Sequence, residues 1–415
     1  MENQALIDIV NYAYKNVPMY KELFGENITI SSMEEFKKLP FTNKEMYTKY
    51  DKKAMSQEHL NYPLTDQLRM RRTSGSSGIC LNLGWNHADD THSLMELWLI
   101  RKKYYGITPA DKCCYFYTTT YYGNTIIEDD EEVRKSYDNR SLGFNKCGFT
   151  KERLVKIYKD MLEFDPKYII TQPSIAILLA DYVAEEDVEP LKSLTYVEVS
   201  GELLLESDRT KIETVLQCKV GNQYGCNEAN SIAMEQGDHR FHINKSNVYV
   251  EIVKDGNVVP YGEIGDIYIT SLHNHATPFI RYQLGDQGKL IREGDELYIE
   301  LEKARCTQFI LDEFGNKIPA YIFLRPIEHI SEQLGNIIKQ FQIIQTDINQ
   351  FSVKFALHPK YIGWKDAIAE IFTEYLKQDT LKNATWKFEA CEHLFPEDTT
   401  GKLSYFYNEV SGGYK

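Results

Sequence analysis

From Cys113 to Gln223 short apolar strands alternate with amphipathic helices, and this rhythm constrains the fold more than any other feature of the chain. The strands are Cys113–Thr118, Tyr168–Thr171, Leu194–Val199 and Lys219–Gln223, and the helices are Lys151–Leu162, Ser174–Val183 and Ser207–Leu216. Such alternation predicts α/β layering around a largely parallel sheet.

Ahead of this block, Leu6, Ile7, Val10 and Tyr14 fall at helix spacing. Ser32 with Glu35 has the form of a capping box opening a short helix that Pro40 ends. A long helix is expected from Ala88 to Tyr105, with Asp89 and Asp90 at its positive end and Gly106 as its stop. After residue 230 the rhythm changes. Asn247–Val253, Ile264–Thr270 and Glu296–Leu301 read as antiparallel strands, with Asp255-Gly256 as a hairpin turn. Past the turn at 313–316 come a helix (Leu324–Gln333), two strands (Gln340–Thr346 and Phe351–Leu357), a helix (Lys365–Lys377) and a strand (Thr385–Ala390). That block has the size of a small α+β domain. At about 150 residues per domain, 415 residues allow two or three domains. We expect a large N-terminal domain of layered α/β sheets over residues 1–304 and a small α+β domain over 305–415.

Sixty-one acidic against 47 basic residues leave a formal charge of −14, which repels phosphate backbones and anionic lipid. General binding to nucleic acid or membrane surfaces is therefore not expected. The first sixteen residues lack a cationic stretch followed by an apolar one, and no run approaches the ~18 apolar residues of a membrane span. The eight cysteines show no CxxC pair and no zinc-type spacing with histidine, so reduced thiols and a cytoplasmic location are expected. The 29 tyrosines fit either an aromatic pocket or a general bias of composition.

Four segments have residue types suited to chemistry. Arg71-Arg72-Thr73-Ser74-Gly75-Ser76-Ser77-Gly78 carries two glycines and four hydroxyls in six positions. Its N–H and O–H groups suit a polyphosphate, although a surface loop has the same composition and Walker A spacing is absent. Gly221-Asn222-Gln223-Tyr224-Gly225-Cys226-Asn227-Glu228 follows a predicted strand and offers a ring to stack a base and a carboxylate for Mg²⁺. In Thr277–Asp286 a carboxylate stands beyond a glycine turn, where it suits two ribose hydroxyls or a plain hairpin. Thr399-Thr400-Gly401-Lys402-Leu403 sets a lysine in a tight loop.

In this order and spacing the four segments resemble the core motifs of the adenylate-forming superfamily, which includes acyl-CoA synthetases, peptide-synthetase adenylation domains and luciferases. Thr73–Gly78 is similar to its phosphate loop and Asn222–Glu228 to its Tyr-Gly-x-Thr-Glu motif. Arg281–Asp286 is similar to Arg-Tyr-x-x-Gly-Asp, and Gly401-Lys402 to the terminal Gly-Lys. The stretch from Gly262-Glu263-Ile264-Gly265-Asp266 to Tyr282 most resembles the phenylacetate–CoA ligase subgroup.

The resemblance implies an enzyme that uses ATP and Mg²⁺ to turn a carboxylic acid into an acyl-AMP, with a C-terminal lid over the site. The acceptor would be the pantetheine thiol of CoA or of a carrier protein. It implies that Thr73, Ser74, Gly75, Ser76, Ser77 and Gly78 hold the β- and γ-phosphates. Ser200-Gly201-Glu202, Asn222 and Gly225 would line the nucleotide, with Tyr224 stacking on adenine. Glu228 would take Mg²⁺, Asp286 and Arg305 the ribose, and Lys402 would bridge the attacking carboxylate and the α-phosphate. Tyr117, Tyr122 and Gly123, with Gly201 and Gly225, would shape the acyl pocket, which favours an aryl or arylalkyl acid. Relatives of this subgroup are often homodimers.

Departures from the pattern matter. Ile79 stands where lysine is usual in the phosphate loop, Asn227 replaces threonine, and Ala304 and Thr307 replace the hinge glycine and acid. His242 remains from a zinc site found in many relatives, but Gln236, Leu301 and Lys303 stand where its cysteines would be, so no structural zinc is expected. Two other readings stay open: an amine or hydroxyl as acceptor, and a degenerate relative that binds nucleotide without chemistry.

Overall fold

A computed structural model of the chain describes residues 2–25, 28–60, 68–73, 81–117, 120–122, 125–128, 133–136, 138–145, 150–302, 309–313, 317–335, 337–377, 381–395 and 403–410. It divides into two compact units. The first comprises Met1–Asp111, Thr119–Glu132 and Gly221–Glu302, and the second Lys112–Thr118, Val133–Val220 and Lys303–Lys415.

The α/β alternation is realised in the second unit. Strand Cys113–Tyr117 lies between Ser141–Asn145 and Tyr168–Thr171, parallel to both, and Tyr196–Ser200 continues the parallel order beside Tyr168–Thr171. The edge strand Val133–Lys135 runs antiparallel to Ser141–Asn145. Helices Lys151–Phe164, Pro173–Glu185 and Glu206–Leu216 make the crossovers. Thr150 caps the first, its side chain accepting from the Arg153 N–H. The second opens on Pro173 and is buried from there to Val183, as its almost wholly apolar sequence requires.

The C-terminal block within this unit has a separate core. Its sheet runs in the order Thr385–Cys391, Gln350–Leu357, Ile338–Asp347, Phe406–Asn408. Helices Leu324–Leu334 and Lys365–Lys377 supply Ile327, Ile330, Ile368 and Phe372 to a cluster with Phe323, Val353 and Phe355. Every element expected here is present, with ends shifted by one or two residues.

The first unit is built on an antiparallel sheet. Its strand order is Asn257–Val258, Val248–Lys254, Gly265–Ser271, Tyr282–Glu293, Glu296–Leu301, Phe241–Ile243, Asn230–Glu235, followed by the strand that ends at Cys226. Asp255 and Gly256, both at positive φ, turn the hairpin that pairs Val253 with Val258. Against this sheet pack Leu6, Val10 and Tyr14 of helix Glu2–Asn16. Ser32 caps its helix through the Glu35 N–H, but the Glu35 carboxylate accepts from Ser31 rather than closing the box on Ser32. Buried tyrosines serve the core here. The Tyr20 and Tyr47 hydroxyls are 2.6 Å apart, and Tyr47 stacks on Phe279 at 4.6 Å.

One expectation needs correction. The run from Ala88 to Tyr105 is not a single helix: it divides into His87–Ser93, Met95–Ile100 and a widened turn, Arg101–Tyr105. Ser93 turns its hydroxyl back onto the Asp90 carbonyl at 2.8 Å, and the ladder breaks at Leu94. Gly106, at φ +68°, ends the segment as expected. Among the described residues no helix is long and apolar enough to cross a membrane, and Cys113, Cys114, Cys218, Cys226 and Cys391 are free thiols.

Candidate active site

In the first unit the Ser/Gly-rich loop connects two antiparallel strands, Leu68–Arg72 and Asn82–Asn86. Its neck is closed on both sides of the Thr73 backbone. The Thr73 N–H donates to the Leu81 carbonyl, and the Leu81 N–H to the Thr73 hydroxyl, each at 2.9 Å. Thr73 is thus a structural hinge post of the loop; Ser74, Gly75, Ser76, Ser77, Gly78 and Ile79 lie outside the described residues. Below the neck, Arg71 donates to both oxygens of Asp90 (2.8 and 3.0 Å) and to Asn230, while Asn230 donates to Asp90 and to Ser93. Asp90, expected only as a helix-terminal acid, is the counter-charge that fixes this arginine.

Asn230 ties that network to the Tyr-Gly motif. Strand Asn230–Glu235 pairs antiparallel with the strand ending at Cys226, and the turn between them carries Asn227 and Glu228. Gly225 is obligatory there, since a Cβ would stand 2.2 Å from the Asn230 carbonyl oxygen. The Asn222 N–H donates to Glu235, and the Trp85 indole donates to the Asn227 carbonyl at 2.9 Å.

Glu228 sits at the tip of this turn and yet is 6% exposed. Burial pushes its carboxyl above the ordinary carboxylate range, and the Tyr282 hydroxyl donates to it at 3.3 Å. Tyr282 is also the residue of the Arg-Tyr-x-x-Gly-Asp segment that enters the core, while Gly285, at φ +85°, bends the chain before Asp286. Tyr224 donates its hydroxyl to Asp286 at 2.9 Å. The structure therefore brings Tyr224 to Asp286 and Glu228 to Tyr282. The role of Tyr282 was not anticipated; its place directly after the motif arginine was the available signal.

Arg281 itself is a framework residue. It is 2% exposed and grips Glu251 through Nε and Nη2 at 3.0 and 2.9 Å. Its remaining nitrogen donates to the carbonyls of Lys37 and Leu39.

In the second unit Gly201, at φ +81°, follows strand Tyr196–Ser200, and Glu202 turns its carboxylate onto two backbone N–H groups. Oε2 accepts from Ser174 at 3.0 Å and Oε1 from Leu403 at 2.9 Å. Tyr117 is buried at the end of strand Cys113–Tyr117. Nearby elements of the same unit hold a charge cluster that the sequence did not suggest: Lys339, 1% exposed in its side chain, meets Glu185 at 2.6 Å and Asp181 at 3.7 Å, with His393 3.4 Å from Glu185. Gly123, Arg305 and Lys402 lie outside the described residues, as do Ala304 and Thr307, and Tyr122 is described in its backbone alone.

His242 sits between two carboxylates, with Nε2 2.9 Å from Asp238 and Nδ1 3.6 Å from Glu296.

Residues 316–409 match the family model of the CapK C-terminal domain. Phenylacetate-coenzyme A ligase of Pseudomonas putida is 26% identical over 301 residues, covering 68% of this chain and 64% of the relative. Protein CapK of Staphylococcus aureus is 21% identical over 304 residues, covering 71% of this chain and 63% of that protein. The chain thus spans somewhat less than two thirds of the length of the curated relatives it matches. In fold it is similar to 2-hydroxyisobutyryl-CoA ligase in the postadenylation state, with a TM-score of 0.71 at 18% identity, over 99% of this chain and 89% of that one. In sequence the chain is thus similar to phenylacetate-coenzyme A ligases and Protein CapK, and in fold to an adenylate-forming CoA ligase.

Proposed function

We propose that the protein is an acid–thiol ligase that activates a carboxylic acid with ATP and passes the acyl group to a pantetheine thiol. The observation that carries this reading is the pairing of Tyr224 with Asp286 beside the buried Glu228–Tyr282 pair, within one sheet. Asp286 has the chemistry to accept ribose hydroxyls, and its bond to Tyr224 fixes the ring on which adenine would stack. A buried carboxylate whose proton affinity is raised by desolvation gains from a divalent cation, so the donor chemistry of Glu228 fits Mg²⁺. Mg²⁺ would screen the phosphates, lowering the repulsion between the attacking carboxylate and the α-phosphate.

The reaction needs charge stabilisation more than a general base, because one anion attacks another. Residues Thr73, Ser74, Gly75, Ser76, Ser77 and Gly78 would supply N–H and O–H donors to the β- and γ-phosphates. Asn222, Gly225, Gly201, Glu202 and Arg305 would contact the nucleotide. Lys402 would lie between the carboxylate and the α-phosphate. The closed Thr73–Leu81 neck supports a loop of defined entry and exit. The match over residues 316–409 supports a C-terminal lid domain beginning near Arg305. Tyr117, Tyr122 and Gly123 favour an aryl or arylalkyl acid. The charge of −14 disfavours docking of an acidic carrier protein and so favours CoA as acceptor.

A pyrophosphate-exchange screen over aryl, arylalkyl, hydroxy and aliphatic acids tests this reading. Exchange is expected with at least one aryl acid, followed by acyl-CoA on addition of CoA. Exchange with no acid in the panel would count against the ligase reading, and activity confined to aliphatic acids would overturn the aryl assignment.

Glu228→Gln provides a test with two readouts. Exchange should need more Mg²⁺ for half-maximal rate. Stability should move the other way. A carboxyl with a raised folded-state pKa favours the fold below its unfolded value, and that contribution is lost as pH rises through the folded value. The neutral amide escapes this loss. Melting temperatures of variant and wild type should therefore coincide near pH 4, with the variant higher by roughly 1–3 °C near pH 7.5. A variant less stable at every pH would contradict the desolvated carboxylate.

A further inference from the structure

The C-terminal block meets the parallel-sheet layer of the same unit through ions and polar groups more than through shared apolar packing. The apolar cluster of the layer is built from residues 114–220, and among the described residues only the partly buried Phe395 joins it from the block. The block's own cluster draws on residues 310–406. Across the seam stands Lys339, its ammonium 2.6 Å from Glu185 and 3.7 Å from Asp181. Asp181 and Glu185 are one turn apart on helix Pro173–Glu185 and so share a face of it. Lys211 also pairs with Asp181, and His393 lies 3.4 Å from Glu185. The Lys339 and Asp181 side chains are each 1% exposed, so this is a buried pairing.

The strand that carries Lys339 is shaped for this contact. In strand Ile338–Asp347, Ile338 pairs with Leu357 and Gln340 with Ala356, so Lys339 is the extra residue of a bulge. In a regular strand positions two apart share a face, which would turn Lys339 toward the core that Phe341 and Ile343 enter. The extra residue breaks that alternation, and Lys339, Gln340 and Phe341 are buried in succession. A bulge re-aims a side chain, and this one delivers an ammonium to two carboxylates.

Buried ion pairs of this kind hold geometry more than they bind. The attraction between the charges is largely offset by the cost of taking them from water, and an apolar set of similar volume often holds as well or better. Parting the whole group costs little, since both sides regain water, whereas leaving one charge buried without its partner is costly. We infer that Lys339, with Asp181 and Glu185, is an ionic latch. It admits one arrangement of the C-terminal block on helix Pro173–Glu185 and lets the block come away as a folded body, where an apolar seam would keep it.

Gln340→Cys in the full-length protein supplies a reporter, because the Gln340 side chain is buried at the seam and donates across it to the Ser174 carbonyl at 3.4 Å. The rate at which a thiol reagent labels this cysteine, read by mass spectrometry of its peptide, follows the population in which the seam is open. Adding Lys339→Met should speed labelling by at least about 10²-fold, because in the closed seam Glu185 loses its cation and Asp181 one of two. Lys339→Met together with Asp181→Leu and Glu185→Met should return the rate to that of the reporter alone or below it. Amide hydrogen exchange of Val353–Phe355, in the core of the block, should be the same in all three proteins. Labelling of the Lys339→Met protein at the rate of the reporter alone would overturn the latch. Faster labelling with lost protection at Val353–Phe355 would overturn it too, by showing that the block unfolds and that Lys339 only supports its fold. A triple variant labelled as fast as the single one would overturn the claim that an apolar seam holds where the ions release.

Discussion

Lys402→Ala is expected to lower the maximal rate of acid-dependent pyrophosphate exchange by about 10³-fold, while ATP·Mg²⁺ still binds within a few-fold of the wild-type affinity. Removal of one preorganised donor from a developing anion costs on the order of 10²- to 10³-fold, and a full positive charge between two anions belongs at the upper end. Lys402→Arg should restore little, because the planar guanidinium delivers its charge in a different geometry from a compact ammonium. Exchange measured with saturating ATP and acid, beside calorimetric titration of ATP·Mg²⁺, separates rate from binding. An alanine variant that exchanged at the wild-type rate would remove Lys402 from the chemistry and leave the C-terminal Gly-Lys as a loop of ordinary composition.

Arg281→Ala should cost about 3–5 kcal/mol of stability, enough to leave little folded protein at physiological temperature. The reason is what remains. Glu251, 4% exposed, would keep a buried carboxylate with no cation, and the carbonyls of Lys37 and Leu39 would lose their donor. Burial already outweighs the arginine at Glu251, holding its carboxyl above the ordinary range. Arg281 also adopts φ +47°, so the backbone there is strained and held by its bonds to Thr270 and Thr42. Arg281→Lys cannot reproduce the two-pronged grip and should cost nearly as much. Arg281→Met combined with Glu251→Leu removes both charges and should recover most of the loss. Urea unfolding of the four proteins checks the cycle. A single alanine variant within about 1 kcal/mol of wild type would show that the pair is not what holds the segment.

These two residues show how much of the molecule was legible beforehand. Periodicity is a local property, so the crossover helices of the parallel sheet and every element of the C-terminal block appear within a residue or two of their expected limits. The helix expected over Ala88–Tyr105 failed because a single hydroxyl, Ser93, found a backbone acceptor and a tertiary partner in Asn230. Hydrophobic spacing carries no record of that bond.

The order of four motifs was enough to bring out a resemblance to the adenylate-forming proteins, because glycines, hydroxyls and carboxylates at those spacings survive as sequence. Which of those residues act on neighbours rather than on a ligand was decided in three dimensions. Tyr224 orients Asp286, Tyr282 meets the buried Glu228, Arg281 locks Glu251, and Glu202 reaches 201 positions along the chain to Leu403. Each of these contacts depends on burial and on the direction of a side chain, and both arise only when distant segments pack. The sequence by itself thus determined the layers, the family resemblance and the residue types of the candidate site. The tertiary structure alone assigned partners, since a hydrogen bond needs about 3 Å of separation and sequence distance has no bearing on that.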